Sequence, residues 1–254
     1  MARDSQKRGG ARWRLWLWLA LAGLITASTA MAVLKAMAYV LTNPRFTLST
    51  NNRDAVAIQG LNYVARARVL QVFAVDLGRS AFSVPLAERR RRLLAIDWVR
   101  DASVSRVWPN RLLVRIRERK PVAFASFPSS PMLVDAEGVL LAIPPRARFA
   151  FPVIDGLREA DSDAQRRPGV SAFLEFQQNM GRLANDVSEV DVADPNNLRI
   201  VTRVENRAVE LILGDGDFAA RYQNFVGHYQ EIRKESPDAG TFDLRLDDRI
   251  TARK

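Results

Sequence analysis

The stretch VRDASVSRVWPNRLLVRIR, Val99 to Arg117, decides the fold. Pro109-Asn110 is a turn dipeptide between two strand-like runs, Val99–Trp108 and Arg111–Arg117. The second run alternates cleanly: Leu112, Val114 and Ile116 share one face, while Arg111, Leu113, Arg115 and Arg117 share the other. One face is therefore core and the other mostly guanidinium. Upstream, Leu86–Ala95 reads as a helix with Pro85 at its first turn. Val64–Phe73 reads as a second helix, stopped by Asp76-Leu77-Gly78, and Val56 and Ile58 before Gly60 read as a short strand. The order β-α-α-β-β predicts a small α+β unit with both helices on one sheet face.

Further upstream the character changes. Residues 41–54 are polar, with Asn43-Pro44 and Asn51-Asn52, and predict a linker. Before them Leu15 to Leu34 is twenty residues without a charge, long enough as a helix to cross the ~30 Å hydrocarbon core. A transmembrane helix is expected over 15–40, with Leu15, Trp16, Trp18 and Leu34 as anchor residues. Trp13, Trp16, Trp18 and Tyr39 stand where interfacial aromatic belts form. Residues 1–14 carry Arg3, Lys7, Arg8, Arg12 and Arg14 against Asp4 alone, which places this tail in the cytoplasm and the body outside. A cleaved signal peptide is the alternative, since Ala30-Met31-Ala32 and Ala36-Met37-Ala38 have the small-x-small form. Signal peptides carry apolar runs of about 7–15 residues, and this run is longer, which favours an uncleaved anchor.

Downstream of Pro121 lie short strands among Pro and Gly turns: Ala123–Phe127, Met132–Val134 and Val139–Ile143. Val170, Phe173, Phe176, Met180 and Leu183 predict a helix over 170–183. Val190–Val192, Leu198–Thr202 and Ala208–Leu213 follow as antiparallel strands. Then comes a helix, Phe218–Lys234, with Asp217 as its N-cap and Phe218, Tyr222, Phe225, Val226, Tyr229 and Ile232 on one face. Thr241–Leu246 is the expected last strand.

Composition closes off much chemistry. The 254 residues include no cysteine, which excludes disulfides, thiolate nucleophiles, cysteine zinc sites and Fe–S clusters. The one histidine, His228, excludes a multi-histidine metal site; no Gly-x-Ser-x-Gly elbow accompanies it, so it reads as a boundary residue of the last helix. The net charge of +10 invites a nucleic-acid reading, but nearly half of the excess lies in the tail, and export removes chromosomal DNA as a partner. Arg89-Arg90-Arg91-Arg92 sweeps most of a helix circumference, so it reads as a solvated face rather than a phosphate site. Asp215-Gly216-Asp217 lacks the later ligands of a calcium loop. Asp161/Asp163 and Asp247/Asp248, the closest carboxylate pairs, lie in polar stretches where both acids ionise. No enzyme activity, metal or cofactor is expected.

Taken in order, the motifs resemble the FtsQ/DivIB bacterial cell-division family. The resemblance rests on Trp98-Val99 before the strand ending Val107-Trp108-Pro109-Asn110, on Glu118 with Pro121-Val122-Ala123, and on Val134-Asp135-Ala136-Glu137-Gly138. Leu213-Gly214-Asp215-Gly216-Asp217 and Phe242-Asp243-Leu244-Arg245 complete it, and it covers nearly the whole chain. It implies a POTRA domain at 55–121 and, at 122–254, a mostly antiparallel β domain with flanking helices and a C-terminal edge strand. It also implies a non-enzymatic scaffold in the inner membrane at the division septum, binding FtsB- and FtsL-like partners and helping to position and regulate septal peptidoglycan synthesis. In this family the last strand receives FtsB, which carries over to Phe242, Asp243, Leu244, Arg245 and Leu246. Leu246 departs from the tyrosine common in the family. An anchored cell-wall enzyme, or another POTRA-bearing envelope assembly factor, are the alternatives.

Overall fold

The computed structural model describes residues 9–246 and 249–253, and the side chains of 9–12, 14, 15, 52 and 53 lie outside that description. It begins with a helix, α1 (Gly9–Thr42), extending beyond the expected 15–40 at both ends. Its Trp16–Thr42 portion, 27 residues, is long and apolar enough to cross a membrane. The hydroxyls inside it do not seek outside partners: Thr26 Oγ1 donates to the Gly23 carbonyl at 2.9 Å and Ser28 Oγ to that of Ile25 at 2.9 Å.

The chain divides into two compact units, one holding residues up to Leu94 plus Asp101–Ile116, the other Ala95–Arg100 and Arg117 onward. In the first, residues 41–54 are not the polar spacer expected from the sequence. A 3₁₀ turn, Pro44–Phe46, is capped by the Asn43 side chain accepting from the Arg45 N–H. Leu48 is fully buried, and its backbone exchanges bonds with Arg79 and Gly78. A short helix, α2 (Asn52–Ala55), follows. The apolar Leu48 and Ala55 drive this segment into the fold, where exposing them would forgo their burial.

Strands β1 (Val56–Gln59), β2 (Val99–Val107) and β3 (Arg111–Glu118) form a sheet in the order β1-β3-β2, with β1 parallel to β3. Leu112, Val114 and Ile116 are buried and Arg111, Arg115 and Arg117 exposed, as the alternation predicts. Gly60 turns the chain at a φ of +83°, where a Cβ would lie 2.0 Å from the Ile116 carbonyl oxygen. The helices are α3 (Arg66–Gln71) and α4 (Leu86–Leu94), and they bring Val69 and Leu93 to the core. The first helix is shorter than the expected Val64–Phe73: Ala65 and Val72 are its caps, and a 3₁₀ turn, Ala74–Asp76, follows it.

The second unit is built on a nine-stranded sheet of β4 (Pro121–Ala125), β5 (Met132–Asp135), β6 (Leu140–Leu141), β7 (Val153–Asp155), β8 (Val187–Asp191), β9 (Leu198–Val204), β10 (Arg207–Gly214), β11 (Thr241–Asp243) and β12 (Thr251–Arg253). Their order is β12-β11-β10-β9-β8-β7-β4-β5-β6. Pairing is mostly antiparallel, but β4–β7, β7–β8 and β10–β11 are parallel. Helices α5 (Asp163–Met180) and α6 (Phe218–Glu235) share the sheet's hydrophobic core through Val170, Phe173 and Phe176, and through Phe218, Tyr222 and Phe225. Phe176 and Phe218 meet edge-on at 5.5 Å and join the two helices.

Helix α5 starts seven residues before the expected Val170 and runs through Pro168. Its start is fixed by Gln165 Oε1, which accepts from the Ser162 N–H and hydroxyl at 2.9 and 2.7 Å. Buried Arg166 adds bonds to the carbonyls of Gly138, Glu159 and Asp161. Asp217 occupies the N-cap position of α6 at a φ of +49° but makes no capping bond; Asn179 Oδ1 accepts from the Ala219 N–H instead. Val226, expected on the buried face, is exposed, because it is ~100° round the helix from Phe225.

Candidate functional site

The C-terminal end of the sheet is set by an aromatic cluster. Phe242 of β11 lies 5.0 Å from Phe225 and 6.4 Å from Tyr229, both on α6, and is 1% exposed. Strand β11 therefore cannot leave the core. It is also not an edge. β10 pairs with it on one side and β12 on the other, with Thr241 opposite Arg253, Phe242 opposite Ala252 and Asp243 opposite Thr251.

The hydrogen-bond directions follow from the register. Leu244 donates to the Ile212 carbonyl, and the Gly240 carbonyl accepts from Glu210, so the even-numbered residues of β11 face β10. Thr241 and Asp243 then face β12, and their opposites Thr251 and Arg253 face back. The N–H and carbonyl of Ala252 point away from the sheet, to an edge that no strand among the described residues pairs.

Asp243 locks this end. Its carboxylate accepts from Arg245 Nε and Nη2 at 2.9 and 2.7 Å and from Arg253 Nη2 at 3.1 Å. The Arg245 bonds, with Arg253 behind them, hold the Asp243 carboxyl below its usual range. Beside the edge is a groove of about 240 Å³ lined by Asp217, Ala220, Arg221, Asn224, Leu244, Leu246 and Ile250.

The five residues expected to bind a partner thus separate. Phe242 and Leu244 are core, Asp243 is a brace, and Arg245 and Leu246 are exposed, Leu246 at 55% on the groove wall. The expected strand Thr241–Leu246 ends at Asp243, and the open edge belongs to Thr251–Arg253. Only Ile250-Thr251 hints at a strand there, in a polar stretch too short for alternation to register.

The FtsQ-type POTRA domain family matches residues 52–119. Cell division protein FtsQ of Koribacter versatilis is 33% identical over 212 residues, 81% of this chain and 60% of that protein. FtsQ of Alcanivorax borkumensis is 26% identical over 250 residues, 97% of this chain and 91% of its own length, and FtsQ of Myxococcus fulvus 29% identical over 201, 76% and 68%. The chain is similar to FtsQ cell-division proteins over most of its length. Its residues 52–119 match an FtsQ-type POTRA domain, and the chain spans 60% of the length of the Koribacter FtsQ and 37% of that of the Bordetella pertussis FtsQ it also matches.

The motifs that carried the family resemblance have structural work. Trp98 Nε1 donates to the Ala142 carbonyl at 2.9 Å and its ring stacks on Phe149. Buried Asp135 accepts from the N–H groups of Glu137 and Val139 and from Arg119 Nη1, fixing the turn to Gly138, where a Cβ would meet the Asp163 carbonyl at 2.6 Å. Leu213–Asp217 is the turn from β10 into α6.

The four consecutive arginines are not one solvated face. Arg89 is 4% exposed and donates to both oxygens of buried Asp76 at 2.6 and 2.9 Å, a bond that holds it firmly charged. Arg90 donates to Asp101 and the Ala102 carbonyl, and Arg92 pairs with Glu88. Helical phase sends Arg89 inward because it follows Pro85 by one turn and shares a face with Leu93. His228 is exposed with Nδ1 2.9 Å from the Asn224 carbonyl. Asp161 and Asp163 flank the Arg166 knot, while Asp247 and Asp248 lie outside the described residues, as do residues 1–8 of the tail. Trp16, Trp18 and Leu34 are exposed along α1, and the side chain of Leu15 is outside the description.

Proposed function

We propose that the chain is a non-enzymatic bitopic scaffold of the division complex at the septum. In this reading residues 1–14 are cytoplasmic, α1 crosses the inner membrane once, and the body, divided into a POTRA domain at 55–121 and a β domain at 122–254, works outside the cytoplasm. It binds small bitopic partners of the FtsB and FtsL kind and helps to position and regulate septal peptidoglycan synthesis. The observation that carries this reading is the outward-facing backbone of Ala252 on the last strand. An extended segment can pair there by β-augmentation, with side chains reaching the Leu246–Ile250 groove.

The roles within the surface follow. Thr251–Arg253 supplies backbone pairing, Leu246 and Ile250 supply apolar contact, and Phe242, Asp243, Leu244 and Arg245 hold the strand in place. Proline at 252 removes the outward N–H and adds a ring toward the partner, while the bonds to β11 are made by residues 251 and 253. Ala252→Pro is therefore expected to weaken binding of an FtsB-like soluble segment by at least tenfold, about 1.4 kcal/mol. The measurement is a titration of the full chain in lipid nanodiscs, with circular dichroism to confirm folding. A folded Ala252→Pro chain that binds like the original removes this edge as the binding site.

A further inference from the structure

We propose that the end of the POTRA unit nearest α1 rests on the phospholipid headgroup layer, with Phe82 and Trp108 inserted and the surrounding arginines on phosphate. The inference rests on reading α1 as a membrane span. About 20 helical residues cross the hydrocarbon core, so a span whose inner belt ends at Trp18 brings Tyr39 to the outer interface. No free spacer separates Tyr39 from the folded unit. Ser80 Oγ donates to the Val40 carbonyl at 2.9 Å. Tyr39 meets Phe46 edge-on at 6.2 Å, and Phe46 meets Phe82 at 5.6 Å. The Ala81–Ser83 turn therefore sits two rings from a residue at the lipid surface.

The hairpin tip is tied to the same turn. Arg106 Nε donates to the Ala81 carbonyl at 2.8 Å, its Nη2 to those of Phe82 and Val84 at 3.2 and 2.9 Å, and its guanidinium lies 5.8 Å from the Phe82 ring. Trp108 is two residues on, ~7 Å along the strand. It is 77% exposed, and Val107 and Phe82 beside it are each 41% exposed. An apolar group of this kind on a protein surface calls for a covering phase.

Charge selects that phase. Arg45, Arg79, Arg106 and Arg111 are exposed on these segments, and residues 43–48, 77–84 and 104–112 contain no Asp or Glu. Basic residues interleaved with Trp and Phe match a headgroup layer, where the rings take the interface and the guanidinium groups take phosphate.

The absence of cysteine makes the test direct. Full-length chain carrying Asn110→Cys, spin-labelled and reconstituted in phosphatidylethanolamine/phosphatidylglycerol vesicles, is probed by relaxation with oxygen, which enters lipid, and with a nickel chelate, which does not. The expected result is oxygen-favoured accessibility at position 110, shifting several-fold toward the nickel chelate when Trp108→Ser is added. Because Trp108 packs on little, this variant keeps the fold. A label at Thr26→Cys checks the span itself. If Thr26 is in lipid but position 110 is as open to nickel as a dissolved label, the inference fails while the span stands. If Thr26 is also aqueous, the span reading has failed first and takes the inference with it. Dipolar broadening at position 110 that disappears on dilution with lipid, together with its protection from nickel, assigns the patch to a second copy and likewise overturns the proposal.

Discussion

Asp243 joins residues eight positions apart, since Arg245 and Arg253 both donate to its carboxylate. An acid whose folded pKa is depressed stabilises the fold above its unfolded pKa, ~3.9, and that contribution is lost as pH falls through the lower folded value. At neutral pH the brace is complete, so β12 is expected to loosen only in acid. Amide exchange at Thr251 and Arg253, corrected for intrinsic rates, should accelerate below pH ~3.9. In Asp243→Asn it should be fast already at neutral pH and change little on acidification. Equal protection in both proteins at neutral pH would show that the carboxylate does not hold the strand. None of this pairing was legible in the sequence, where Phe242-Asp243-Leu244-Arg245 looks like one amphipathic strand. Arg89 shows the same blindness. Residue type placed it in water, while the partner that makes its burial tolerable, Asp76, stands thirteen residues away.

Elements with strong periodicity were readable, and short ones were not. The strands at Val99 and Arg111 and the helix at Phe218 have enough residues for alternation or helical phase to be unmistakable. β7 and β12, three residues each, offer no period, and they are defined by neighbours distant in sequence. The apolar spacing placed the start of a helix at Val170; in the structure Gly169 already lies within α5, where it approaches Val192, whose Cγ2 lies 2.9 Å from the place of a glycine Cβ. The parallel pair β7–β8 sets Val153 against Glu189 and Asp155 against Asp191. Burial, then the charges of Asp155 and Asp191, push the Glu189 carboxyl above its ordinary value. Its ionised form therefore costs stability above the folded pKa, and the cost disappears below ~4.3, where the unfolded chain is protonated as well. Glu189→Gln is expected to raise stability at neutral pH by ~0.2–1 kcal/mol, with the gain fading in acid. Denaturant titrations at pH 7 and pH 4 measure it, and a loss of stability at pH 7 would refute the assignment.

At the scale of the whole chain, the long apolar helix and the two-part body were the most legible features, because a charge-free run of twenty residues and a change of texture after Pro121 need no tertiary knowledge. The docking of residues 43–50 onto the first unit was not, since Phe46 and Leu48 are too few apolar residues to set a pattern. The proposed orientation, with the basic tail inside, predicts that a reporter active only outside the cytoplasm, fused after Lys254, is active. Activity of a cytoplasmic reporter in that place instead would reverse the topology. Strand β12 has a mechanical consequence as well. It is joined to β11 through three residue pairs, whereas β9 and β10 share seven. A strand hooked onto Ala252 and drawn away from the sheet edge pulls along the hydrogen bonds rather than across them, so they open in succession like a zip. Under tension the joint between β11 and β12 gives way first, and Phe242 stays seated while the load is shed.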